Sequence, residues 1–150
     1  MFTGVKMINK LIPCLFLLVA ACQTNPVERT YEGLLDQGDK PGIAMKLTFK
    51  GEQIIRGTFS LVAPDGGEEF GGTARLDTAV QILGQDGDRF RFRVDLMSGG
   101  VMRPFFNGSR LSAQPDGTLN MTWEAVDEAG NWSSVMAPAG PPMVLSLVRE

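Results

Sequence analysis

The residue types that could do chemistry in this chain are few, and their spacing narrows them further. Asp65, Glu68, Glu69, Asp86, Asp88, Asp116, Asp127 and Glu128 could in principle pair as general acid and base, as the carboxylates of glycosidases do. All of them sit among glycines, prolines or one another in turn-like contexts, where a solvated charge is the expected state. No histidine occurs at any of the 150 positions. That removes the commonest general base and metal ligand, and with it every Ser-His-Asp or Cys-His arrangement. No glycine-rich phosphate loop leads into a helix; Gly66-Gly67 and Gly71-Gly72 lie between strand-like segments and read as turns or bulges. The expectation is a protein that is not an enzyme and that carries no metal and no cofactor.

Two constellations remain that could bind something. Arg89, Arg91 and Arg93 alternate with Phe90, Phe92 and Val94, which puts three guanidinium groups on one face of a single strand. Such a row suits an anionic lipid headgroup or an acidic partner; equally, it is a solvated exterior that discourages misregistered pairing. The second is the segment Trp132 to Met143, which is apolar, uncharged and carries Pro138, Pro141 and Pro142. Prolines restrict a loop in advance and so lower the entropic cost of binding. Trp132, Met136, Pro138 and Pro141 are therefore candidate ligand or partner contacts, the alternative being that Trp132 and Met136 cap an open barrel end. Met45, Met121 and Trp123 fall on apolar strand faces with Phe49, Phe59, Phe90 and Phe92. They form a filled core or line an adaptable cavity for a small apolar ligand.

The elements that must position these residues have a period of two. Ile43, Met45, Leu47 and Phe49 alternate with polar neighbours, a Gly51-Glu52 turn follows, and Ile55 to Leu61 returns. Turn chemistry recurs at Pro64-Asp65-Gly66-Gly67, Gln85-Asp86-Gly87, Ser98-Gly99-Gly100, Pro115-Asp116-Gly117 and Glu128-Ala129-Gly130. The pattern predicts strands near 31–35, 43–50, 53–63, 69–77, 89–97, 101–113, 118–126 and 143–149, with 79–83 either a ninth or a continuation of the fourth. Pro104 cannot donate to a ladder and belongs at an edge, a bulge or a rim. Eight strands with one apolar face each must close around a core, so the predicted fold is all-β: a small antiparallel up-and-down β-barrel, with a β-sandwich as the alternative. Tyr31-Glu32-Gly33, the strand–glycine hairpins and the terminal Val144 to Arg149 together resemble small lipocalin-like (calycin-type) barrels, with Tyr31 where those have tryptophan. The resemblance spans residues 31 to 149 and implies a single closed barrel.

The N-terminus carries an address. Lys6 and Lys10 precede an apolar stretch from Leu11 to Ala20, only about half of the ~20 residues a spanning helix needs. Val19-Ala20-Ala21-Cys22 resembles the bacterial lipobox, which implies that residues 1–21 are a signal peptide and that Cys22 is lipidated. Residues 22–30 then read as a tether and 31–150 as the barrel domain. Cys14 leaves with the signal, so the mature chain has no partner for a disulfide and no thiol nucleophile. Removing Lys6 and Lys10 from the 14 basic residues leaves 12 against 17 acidic ones, net about −5, which gives no electrostatic reason to bind nucleic acid. Gln23 after the cysteine favours the outer membrane, facing the periplasm, in a host with two membranes. The functional expectation is a non-enzymatic envelope lipoprotein whose barrel binds an apolar ligand. The alternative is a protein-interaction module, such as an envelope assembly factor or hydrolase inhibitor, acting through the barrel rim and loop 132–143. On this reading Cys22→Ser moves the domain from the membrane pellet to the soluble fraction with its thermal unfolding unchanged. Retention in the pellet after salt washing would contradict it.

Overall fold

Alternation of apolar and polar residues carries the chain into eight strands: β1 (Glu28–Gln37), β2 (Lys40–Lys50), β3 (Gln53–Val62), β4 (Arg75–Asp86), β5 (Arg89–Ser98), β6 (Val101–Ala113), β7 (Leu119–Glu124) and β8 (Met143–Arg149). The structure is a computed structural model and describes residues 25–64, 74–136 and 140–149. The expectations placed on residues 1–21, on Cys22, on Asp65 to Gly67, on Glu68, Glu69, Gly71 and Gly72, and on Pro138 lie outside those residues. Each strand pairs antiparallel with the next and β8 returns to β1, closing an up-and-down barrel in sequence order. A barrel, and not a sandwich, is the outcome.

One face of every strand fills the interior. Across the ladders Tyr31 opposes Leu47, Met45 opposes Phe59, Leu111 opposes Met121, and Met121 opposes Met143. Met45, Leu47, Phe90, Phe92, Met121 and Leu145 have no surface that a water molecule can touch, from outside or from an internal void. The waist of the barrel is therefore filled with side chains. Phe90 and Phe92 stack at 5.5 Å between ring centres, and Tyr31 meets Phe49 edge-on at 5.6 Å.

Several boundaries differ from the sequence reading, β2 among them, which begins at Lys40 and not at 43. The fourth strand is described over Arg75–Asp86 and absorbs 79–83, while positions 69–73 of the expected strand lie outside the described residues. Its inward residues opposite β3 are Leu76, Thr78 and Val80, and the threonine interrupts the apolar alternation that would have marked it. β1 begins at Glu28, so the expected tether to Thr30 is shorter: Glu28 opposes Lys50 and its carboxylate accepts from Arg56 at 2.7 Å. β7 ends at Glu124, although Val126 still forms a bridge to Trp132.

The barrel has two unlike poles. At the one where β1 begins, Gln85 turns inward beyond a register shift and ties two hairpin turns together. Its Oε1 accepts from the Ile54 N–H at 2.9 Å, and its Nε2 donates to the carbonyls of Glu52 and Gly87. Gly51 (φ 63°) and Gly87 (φ 63°) supply the left-handed backbone these tight turns need. On the outer wall, the Ser60 hydroxyl donates to Asp77 Oδ1 at 2.5 Å and Arg75 Nε donates to the same oxygen at 2.7 Å. The Ser60 hydroxyl and then Arg75 hold the Asp77 carboxyl below its ordinary value of 3.8.

Two predictions follow from these contacts. Phe92→Ala should cost about 3–5 kcal/mol in denaturant unfolding, whereas Arg56→Ala, whose ion pair is exposed, should cost about 1 kcal/mol or less. Equal midpoints would mean that the inward face is wrongly assigned. A depressed folded-state pKa contributes stability above the unfolded value, and that contribution is lost as pH falls through the folded one. Asp77→Asn should therefore lower stability at neutral pH and reduce its fall below pH 4, an effect kept small by the exposure of Asp77. An acid limb identical to the parent's would remove this role.

Candidate functional site

The connection between β7 and β8 builds the site. Beyond Glu124 the chain forms a short arm: Val126 bridges Trp132, the Asp127 carboxylate accepts from the N–H groups of Ala129 and Asn131, and Gly130 turns at φ 82°. The arm folds onto the outer wall of β5 and β6. The Trp132 ring lies 4.0 Å from the Arg89 guanidinium and 5.8 Å from that of Arg91, and Arg91 Nη1 donates to the Gly130 carbonyl at 2.9 Å. Stacking of guanidinium on indole combines dispersion with cation–π attraction. Gly108 leaves room for this arrangement, because a Cβ there would meet the Trp132 ring at 2.7 Å and the Glu124 carbonyl oxygen at 2.9 Å.

After Trp132 the loop opens. Val135 is 73% and Met136 91% exposed. A cleft of about 560 Å³ runs beside them, lined among others by Phe106, Asn107, Trp123, Val126, Val135 and Met136. A second, of about 340 Å³, adjoins it and reaches Arg89, Ser133 and Ser134. Arg93 pairs with Asp95 and Arg110 with Glu124, each at 2.8 Å. Among the described residues, Arg89 and Arg91 form no ion pair. The Nε of each is shut off from solvent with no acceptor. At the pole where β1 begins, a third cleft of about 650 Å³ is lined by residues including Tyr31, Phe49, Leu111 and Leu119.

At the opposite pole β6 outruns its neighbour. β7 pairs only with Gly108 to Ala113, so among the described residues Val101 to Asn107 has a ladder partner on the β5 side alone. Pro104 falls within this stretch, at the edge its chemistry requires. Met97, Val101, Met102 and Phe105 are exposed there, and a small cleft links Phe105 and Phe106 to Val126.

These positions sort the candidates. Trp132 neither caps a barrel end nor projects as a loop anchor; it covers the arginine row on the outer wall. Met136 and Pro141 are exposed beyond it. Trp123 is half-buried, with its ring 6.4 Å from Phe92 on one side and the cleft on the other. Met45 and Met121 lie in the solid waist and present nothing to a ligand. The candidates thus do not form one site, and the sequence reading missed that Arg89 and Arg91 share a surface with Trp132. Gly108 and Gly130 were the available signal, since each sits where a side chain would block the arm.

Among the described residues no group of three or more His, Cys, Asp or Glu could hold a metal ion, and no helix is long and apolar enough to cross a membrane. Fold and site define a class, a closed eight-stranded barrel with a filled waist whose clefts lie on its wall and at its poles. No family model matches the chain, and no characterised protein or solved structure is detectably similar to it.

Trp132→Ala should cost about 1–3 kcal/mol, since it removes a half-buried ring and its guanidinium contacts. Met136→Ala, four residues on, should be neutral within about 0.5 kcal/mol. A neutral Trp132→Ala in equilibrium unfolding would mean that the arm is not held against the wall.

Proposed function

We propose that this protein is a non-enzymatic lipoprotein of the cell envelope, anchored through an acylated Cys22, whose barrel holds an apolar docking surface for another envelope protein. The observation that carries this reading is the apolar far-pole end of the β5–β6 hairpin, where Met97 and Met102 are exposed on one face and Val101 and Phe105 on the other. Contiguous exposed apolar surface on a small domain marks an interaction site. The tether favours a protein over the bilayer as the partner. Pro26 lies against the Gly51 turn at the opposite pole, and the six residues from Cys22 to Val27 reach at most about 20 Å. The attached pole thus faces the membrane and the patch points away from it, into the periplasm if the anchor is in the outer membrane.

Arg103 shares the face of Val101 and Phe105 and forms no ion pair among the described residues, which favours a partner bearing a carboxylate amid apolar side chains. Pro104 removes a donor from the exposed edge and so disfavours pairing of two copies strand to strand. The lipocalin-like resemblance suits the architecture, with Met45, Leu47, Phe90, Phe92, Met121 and Leu145 filling the waist. A second reading, with a small apolar ligand, rests on the cleft beside Met136, whose volume of about 560 Å³ falls in the range of small-molecule sites.

A photo-reactive residue at Met102, in cells, tests the docking reading against the same residue at the exposed Ile55. The expected result is one protein adduct of discrete mass from Met102, lost when Phe105→Asp is added. Adducts only with lipid or with a second copy, or the same adduct from Ile55, would overturn it.

A further inference from the structure

The two adjoining clefts along the β7–β8 connection differ in character. They share Trp123, Glu124, Ala125, Ser133, Val135 and Met136 as lining, so they are neighbouring compartments of one groove. What sets one end apart is the apolar pair Phe106 and Val126. The other is set apart by Arg89 and the hydroxyl-bearing Ser134. The charges there do not cancel. Arg110 is matched by Glu124, while Arg89 and Arg91 are matched by no carboxylate among the described residues. Trp132 fixes the Arg89 guanidinium from one side at 4.0 Å, so little side-chain entropy remains to be lost when an anion arrives.

We propose that this groove binds a single-chain anionic amphiphile, with the acidic head on Arg89 and the hydrocarbon tail along Val126, Val135 and Met136. The inference rests on the small-ligand reading of the cleft and names the ligand's class; it does not depend on the far-pole docking surface. A carboxylate or phosphate head satisfies the same donors, because both present anionic oxygens to the planar guanidinium. The tail covers Met136, which otherwise stands 91% exposed. The site is external, on the wall of a barrel whose interior is filled.

Both tryptophans of the chain, Trp123 and Trp132, flank the groove, so intrinsic fluorescence reports occupancy. The soluble Cys22→Ser domain is titrated with dodecyl phosphate below its micelle concentration, with dodecyl maltoside as the same tail on an uncharged head, and with inorganic phosphate as the head alone. Dodecyl phosphate should bind, and each of the other two should be weaker by about tenfold or more, the equivalent of losing a charge-assisted hydrogen bond or several buried methylenes. Arg89→Gln should weaken dodecyl phosphate by about tenfold and leave dodecyl maltoside unchanged. Met136→Asp, at a position too exposed to affect folding, should weaken dodecyl phosphate by a similar factor. Dodecyl maltoside binding as tightly as dodecyl phosphate would keep an apolar ligand in the cleft but overturn the anionic head. Inorganic phosphate binding as tightly would overturn the tail, and no response to any of the three would overturn both the class and the small-ligand reading.

Discussion

Closure of the barrel depends on β8 coming close enough to seal it. The strand is short and has three registered pairs with β7 and three with β1, with an irregularity at Thr30 and Tyr31. Gly33 on β1 makes the approach feasible, since a Cβ there would collide with the Val144 carbonyl oxygen. What β8 contributes inward is Met143 and Leu145, both effectively without exposed surface. Because side-chain direction alternates along a strand, a slip of one residue would turn both outward. Register at this seam and packing at the waist are thus one constraint.

A waist filled in this way leaves binding to the outer wall and to the poles. An eight-stranded barrel is just wide enough either to hold a small ligand or to be filled by its own side chains, and Phe90, Phe92 and four thioether or aliphatic side chains take the second course here. The outer wall then gains meaning from unequal strand lengths. β6 has 13 residues and β7 six, so the connection after Glu124 has wall to fold back on. Trp132 uses it, and the rest of the loop is left open beside Arg89. The same inequality exposes Val101 to Asn107 at the far pole, where Pro104 limits indiscriminate pairing.

Much of the fold was legible because it follows from period-two patterning and turn chemistry. β5, with Phe90, Phe92 and Val94 against three arginines, could hardly be read otherwise, and its outward arginines are where alternation put them. β4 was misplaced because Thr78 occupies an inward position, so its pattern is weaker than that of any neighbour. The candidate site was half legible. Composition singled out Trp132 and Met136, but alternation says nothing of how a connection folds back over a wall. The contact of Trp132 with Arg89 spans 43 positions of chain and leaves no local pattern, only two glycines whose purpose the tertiary arrangement reveals.

The waist of the barrel is solid, and its clefts lie on the wall and at the poles. Methionine methyl resonances recorded with and without dissolved xenon, which enters apolar cavities that water leaves empty, test it most directly. The account predicts that Met45, Met121 and Met143 keep their positions. Xenon-induced shifts at Met45 or Met121 would show a hollow waist and contradict the account.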